Sequence, residues 1–217
     1  STEFARKSAE IFDPATGAWT RTGDMIESRA GSELLSSLGD GRVLVAGGID
    51  SSGGYHGIVG AEIFNPAKGV WTATDDLSFP RAQTGAHVTM ADGRVMVAGG
   101  TNGIQNTVAS VDVFNPVSLT WSAATPMHVA SQSQAVIGLR DGRVLVAGGC
   151  NSDTLMNLRS SELYDPTSDT WTFVGSLPQR VCMPGVALLS DGKVLVAGGL
   201  QIPGQREGLR LAAIYTP

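Results

Sequence analysis

The chain has 217 residues, among them 28 glycines and 10 prolines, with 42% hydrophobic and only 16% charged side chains. That composition supports a packed core with many turns and excludes a collagen-like or disordered chain, because the glycines stand at fixed places beside apolar runs. A net charge of −5 argues against nucleic acid, which calls for a basic stripe, and no apolar run reaches the roughly 18 residues of a membrane helix.

In chain order, Ser1 to Lys7 is a polar lead-in in which no targeting segment is expected. Residues 9 to 19 then read Ala-Glu-Ile-Phe-Asp-Pro-Ala-Thr-Gly-Ala-Trp, and related blocks occupy 61–71, 111–121 and 161–171, with a shorter one at 212–217. A second block, Asp-Gly-Arg-Val-Leu-Val-Ala-Gly-Gly at 40–48, returns at 92–100, 141–149 and 191–199. The spacing between copies of Asp40, Asp92, Asp141 and Asp191 is 52, 49 and 50 residues, the mark of one supersecondary unit used repeatedly. One domain is expected over 1–217, with units at 29–80, 81–129 and 130–179 and partial units at 9–28 and 180–217.

One unit reads as four strands. Ser32 to Leu38 predicts the first and Arg42 to Ala46 the second, joined by a two-residue Asp40-Gly41 turn with both residues at positive φ. The second strand is apolar on both faces, as a strand buried on both sides would be. A polar loop leads to the third strand at 61–64, Asn65-Pro66 opens a tight turn, and the fourth strand carries Trp71 for the seam between units. Four antiparallel strands per unit of about 50 residues predict an all-β fold, a β-propeller of four-stranded blades.

The paired glycines after an apolar strand, followed by an aromatic residue and then a Trp, resemble the kelch repeat. Gly47-Gly48, Phe64 and Trp71 carry the likeness first, then Gly99-Gly100, Phe114 and Trp121, then Gly148-Gly149, Tyr164 and Trp171. Gly198-Gly199 and Tyr215 begin a fourth. The resemblance, to kelch propellers of the bacterial and galactose-oxidase-like type, implies about four blades in this chain. First, second and fourth strands occur four times and third strands five times, which leaves two arrangements open. Either four blades close a ring with one strand surplus, or the chain is part of a larger ring completed by further blades or a second copy. Trp71, Trp121 and Trp171 are expected to be buried, and Trp19 only if the C-terminal strands reach it.

Loops on a rigid scaffold are where function concentrates. The variable loops at 49–60, 101–110, 150–160 and 200–210, with the crossings at 23–31, 75–83, 124–132 and 174–182, are expected on one face. Tyr55, His56, Asn102, Gln105, His128 and Arg206 are the candidate ligand contacts there. Arg29, Arg81 and Arg180 each precede the next turn Asp by eleven residues, with Ala130 at that place in the third unit. They are expected at the mouth of the central channel, either holding an acidic ligand or pairing with acids such as Asp24, Glu27, Asp75 or Asp76. Glu10, Glu62, Asp112 and Glu162 recur in every unit and read as structural. Cys150 and Cys182 fall in neighbouring blades, as buried thiols or as a disulfide that only geometry decides.

No metal-ligand spacing, nucleophile elbow or phosphate loop is present. The copper and Tyr–Cys chemistry of galactose oxidase finds only Tyr55, Tyr164 and Tyr215 here, two of them at framework positions, and the Glu-x-x-x-Asp-x-x-x-His pattern of iron-dependent specifier proteins is missing. The reading is a non-catalytic module for a protein or peptide partner, with no cofactor and no metal. An enzyme or glycan site using the three arginines, and a purely structural assembly module, are the alternatives.

Overall fold

A computed structural model describes residues 5–31, 34–50, 56–82, 86–103, 106–201 and 210–217. Its strands form three four-stranded antiparallel sheets in the order first-second-third-fourth. Blade A is β3 (Leu34–Ser37), β4 (Val43–Ala46), β5 (Ala61–Asn65) and β6 (Val70–Ala73). Blade B is β7 (Ala86–Thr89), β8 (Val95–Ala98), β9 (Val111–Asn115) and β10 (Thr120–Ala124). Blade C is β11 (Ala135–Gly138), β12 (Val144–Ala147), β15 (Ser161–Asp165) and β16 (Thr170–Val174), with a small hairpin, β13 (Cys150–Asn151) and β14 (Met156–Asn157), raised from its second-to-third connection. Three further strands, β17 (Gly185–Leu188), β18 (Val194–Ala197) and β19 (Ala212–Tyr215), form blade D. The first strands β3, β7, β11 and β17 lie side by side in that order.

The N-terminal strands β1 (Glu10–Asp13) and β2 (Ala18–Arg21) pair only with each other. They occupy the third- and fourth-strand places of a blade preceding A: Gly23 N–H reaches Gly69 O, and the Trp71 indole reaches the Thr22 hydroxyl. They are not hydrogen-bonded to β19, so the ring of four with a surplus strand is not the arrangement found. The blades form an open arc.

Local chemistry explains the repetition. The Asp-Gly turn is not the two-residue turn that the dipeptide suggests. Leu38 N–H donates to Arg42 O and Gly41 N–H to Leu38 O, so the loop has three residues and only Gly41, at φ 85°, is left-handed. That is a type I turn with a glycine bulge, which frees Asp40 for another task. Its carboxylate accepts from the Arg42 backbone N–H and from its Nε at 2.7 Å; the same bonds recur at Asp92–Arg94 and Asp141–Arg143, and at Asp191–Lys193 with the lysine Nζ in place of Nε. The local backbone N–H of Arg42 holds the Asp40 carboxyl below its ordinary range; at Asp141 and Asp191 the Arg143 and Lys193 side chains lead the same shift. The glycine pair is a matter of space as well as φ. A Cβ on Gly47 would lie 2.7 Å from Arg81 O, where the crossing to the next blade passes.

The core lies in the seams. Leu44, Ala46 and Ile63 of blade A meet Val95, Val97 and Phe114 of blade B, and the equivalent layers recur between B and C and between C and D. β8 and β12 are buried along their whole length, as expected for strands covered on both faces, whereas β18, in the last of the described blades, is buried only at alternate residues. Each fourth-strand Trp pairs across the sheet with the third-strand aromatic: Phe64–Trp71, Phe114–Trp121 and Tyr164–Trp171 have centroids 4.9–5.1 Å apart. Trp171 is 6% exposed, but Trp71 and Trp121 are only half-buried, and Trp19 is 66% exposed against Phe12 alone. Truncating Trp171 to Ala should therefore cost about 3–5 kcal/mol in a denaturant melt. At high dilution Trp19→Ala should change stability by no more than about 0.5 kcal/mol; equal losses at the two positions would contradict the seam assignment.

Candidate functional site

The three arginines do not converge. Arg29 is 4% exposed and Arg81 fully enclosed. Arg29 donates to Glu62 at 2.7 Å and, through its other terminal nitrogen, to Gly47 O and Gly60 O at 2.8 Å each. Arg81 donates to Asp112 at 2.6 Å, to the Ser110 hydroxyl, and to Gly99 O. Burial pushes the Arg81 guanidinium down, with the Asp112 carboxylate opposing. Of the acids suggested by proximity in sequence, only Glu27 takes part, as a second, longer contact of Arg29 at 3.4 Å. The main partners, Glu62 and Asp112, are the acids repeated in the third strands. Arg29 and Arg81 are internal clamps that tie each crossing to the end of the second strand and the start of the third.

The acids do more than neutralise. Glu62 accepts from Ile26 N–H and Glu27 N–H, Asp112 from Ser78 N–H, and Glu162 from His128 N–H and Val129 N–H. Among the described residues Glu162 meets no arginine. His128 Nδ1 lies 2.8 Å from it, and the imidazole stacks on Phe173 at 4.7 Å. His128, placed among the candidate ligand contacts, is thus also a fastener of the B-to-C crossing.

Backbone bonds give the true register of the crossings. Arg81 O accepts from Gly48 N–H, Ser131 O from Gly100 N–H and Val181 O from Gly149 N–H. The next residues, Ala30, Ala82, Gln132 and Cys182, donate in turn to Ile49, Thr101, Cys150 and Leu200. Ser131 and Val181, not Ala130 and Arg180, therefore stand where Arg29 and Arg81 stand. Counting back eleven residues fails in the last two units because their link into the first strand is shorter by one residue and passes through Ser133 and Met183 at positive φ. Arg180 falls one place early, is exposed, and donates to Asn157 O at 3.0 Å. It is the one of the three that remains on the surface.

The remaining candidates scatter. His56 is exposed, and its carbonyl accepts from Asp50 N–H; Asn102 is half-buried with its carbonyl holding Gly57 N–H. Tyr55, Gln105 and Arg206 lie outside the described residues. His87, in β7, is partly enclosed, and desolvation lowers its imidazole below the ordinary range. Among the described residues no group of three or more His, Cys, Asp or Glu side chains is placed to hold a metal ion.

What the sequence did not announce is the hairpin of β13 and β14. Asn151 caps it by accepting from Asp153 N–H and Thr154 N–H, and Leu155 completes the turn at φ 55°. Asp153 reaches across to Asn106 N–H and Thr107 N–H at 2.7 Å each, bracing the loop of blade B. Asn157 donates to Leu200 O on the blade D side. At its base Cys150 is joined to Cys182 by a disulfide, Cα to Cα 5.1 Å, linking blades C and D. The hairpin is held from both sides, with Leu155 74% and Met156 48% exposed at its tip.

Comparison with known proteins agrees with this architecture. A family model described as the Kelch motif matches residues 84–128 and 133–178. An F-box/kelch-repeat protein of Arabidopsis thaliana, At1g22040, is 33% identical over 82 residues, 37% of this chain. Spermatocyte protein spe-26 of Caenorhabditis elegans is 29% identical over 104 residues, 48% of this chain. The aligned stretch spans 17% of each of these two relatives. The solved structure of YjhT superposes with a TM-score of 0.69 at 16% identity, over 92% of this chain and 74% of that one. Antiparallel four-stranded blades around first strands define a β-propeller. The chain is a β-propeller that carries Kelch motifs in two of its blades.

Two outcomes test the internal fastenings. Replacing Arg81 by Met leaves Asp112 buried without its partner and should cost about 3–5 kcal/mol, whereas Arg180→Ala should leave the melting temperature unchanged. Reducing the disulfide, which closes a 32-residue separation, should cost about 3–4 kcal/mol on the loop-entropy estimate, read as a shift of the urea midpoint that Cys150→Ser reproduces.

Proposed function

We propose that this propeller arc is a non-catalytic binding module whose loop face engages a protein or peptide. The observation that carries the reading is the β13–β14 hairpin. It is fixed to both neighbouring blades, so its apolar tip is presented without the ordering cost that a loose loop would incur on binding. Leu155 and Met156 project from it, and Met183, next in sequence to the disulfide-bonded Cys182, is 59% exposed. Arg180 stands at the foot of the hairpin through its bond to Asn157 O. Apolar side chains beside a guanidinium are the composition of an interface centre rather than of ordinary surface. Kelch repeats in the relatives support an interaction role in the broad sense. The enzymatic alternative drew on Arg29 and Arg81 as anion ligands, and both are already bonded internally.

Panning a displayed random-peptide library against the immobilised chain tests the reading. Recovered peptides should lose about tenfold or more in affinity on Leu155→Ser or Met156→Ser, a hot-spot cost above about 1 kcal/mol, with the melting temperature unchanged. Arg180→Ala should weaken those peptides that carry Asp or Glu. Peptides indifferent to all three substitutions would move the binding surface elsewhere.

A further inference from the structure

The base of the β13–β14 hairpin is a closed circuit of ties. Cys150 opens the hairpin and pairs with Asn157 across it. The Asn157 side chain donates to Leu200 O at 2.6 Å. Leu200 exchanges both backbone bonds with Cys182, and the disulfide returns from Cys182 to Cys150. The disulfide is the one link of this circuit that a change of redox conditions can break. The other seams show that a covalent link is optional at this place. Ala82, Gln132 and Cys182 occupy one position of the repeat, in the crossings, and Ile49, Thr101 and Cys150 another, after the glycine pairs. The pair equivalent to Cys150 and Cys182 is therefore Ile49 with Ala82 between blades A and B, and Thr101 with Gln132 between B and C. Neither pair can form a disulfide, and both seams close on their apolar layers. The covalent link stands where the connection is a hairpin whose tip leaves Leu155 74% exposed.

We infer that the oxidation state of Cys150 and Cys182 sets how tightly the loop face binds, with the disulfide form the tight binder. The inference rests on the hairpin as the binding element, as proposed above. Reduction consumes two thiols of the glutathione class. One thiolate attacks a sulfur of the disulfide and forms a mixed disulfide; the second attacks the mixed disulfide. Two electrons and two protons pass to the protein, Cys150 and Cys182 become thiols, and the oxidised disulfide of the reductant leaves. Both cysteines are buried, so attack waits on local opening of the base. With the bond broken, the hairpin keeps its brace to blade B, where Asp153 holds Asn106 and Thr107. Towards blade D it keeps the Asn157–Leu200 bond and the pairing of Leu158 with Val181. Each of these is a hydrogen bond for which water competes. The tip regains conformational freedom, and a partner covering Leu155 and Met156 has to remove it again. Linkage makes the effect reciprocal: a peptide that prefers the disulfide form makes the disulfide harder to reduce by the same factor.

Peptides selected on the disulfide form, of the kind that lose affinity on Leu155→Ser, are the probe. Reducing the chain with dithiothreitol should weaken them about tenfold, and oxidised glutathione should restore them. Cys150→Thr combined with Cys182→Gln copies the B–C seam, which closes without a bond. That variant should bind as the reduced chain does in either redox buffer. In the same preparations the amides of 150–157 should exchange with solvent at least several-fold faster, while those of β8 and β12 stay protected. In a glutathione titration, saturating peptide should lower the reduction potential by about 30 mV, the equivalent of tenfold for two electrons. Peptides that need Leu155 yet bind both forms equally would overturn the redox control and leave the binding reading standing. Peptides indifferent to Leu155→Ser would overturn that reading and this inference with it. Loss of protection throughout the chain on reduction would make the bond a staple of the fold and would also overturn the inference.

Discussion

A carboxylate buried in the third strand of each complete blade fixes where the crossing into that blade can run. A charge in that position must be answered from within the protein, because the cost of enclosing it unpaired is several kcal/mol. Glu62, Asp112 and Glu162 are 1–3% exposed, and each draws backbone N–H groups of its own incoming crossing. Once these donors are committed, the crossing has one path between blades, and the first strand enters the ring at a fixed height. Packing of the apolar seams then follows from that placement.

The side-chain partner of the acid is the part that varies. Blades A and B answer with an arginine enclosed beside the acid, blade C with a histidine from three residues earlier, and blade D has dropped the arrangement altogether. In blade D, Val181 stands at the arginine's place, Ala213 at the acid's, and Pro178, at the place of Ser78 and His128, has no N–H to offer. All three polar members are gone together, which is the pattern expected when a half-satisfied buried network is worse than none. The crossing into blade D is held by the neighbouring Cys182, through its disulfide to Cys150 and its backbone exchange with Leu200. A covalent tie one residue along thus stands in for an ion pair.

The blade plan was legible because each repeated residue answers to a local requirement that recurs unchanged: the turn Asp to the basic residue two places on, the glycine pair to a backbone passing at van der Waals distance, the Trp to an aromatic directly across the sheet. The clamp was not legible. Arg29 and Glu62 lie 33 residues apart, and the distance changes from unit to unit, so pairing them needs the fold and not the spacing. The same difficulty misplaced Arg180. A one-residue contraction before the first strand leaves no mark in composition, and it shifted the alignment of two units onto the wrong side chains. The β13–β14 hairpin escaped for another reason. Its turn is made by Asn151 and a left-handed Leu155 without the glycine that usually announces such a bend.

Rigidity and variability are therefore divided between the two faces of the same blades. On one face, Asp40, Asp92, Asp141 and Asp191 repeat a single solution, and nothing there distinguishes one blade from the next. On the other, the second-to-third connections differ, and the one in blade C is tied down by bonds to Thr107, Leu200 and Cys182 that come from three different segments. The bracing through Cys182 also holds the crossing into blade D. Its physical effect is to remove conformational freedom from the hairpin tip, and a tip that keeps Leu155 and Met156 in water while losing that freedom gains nothing in the isolated chain. That lost freedom is what the proposed binding role would use, because a surface that covers those side chains meets a tip already ordered.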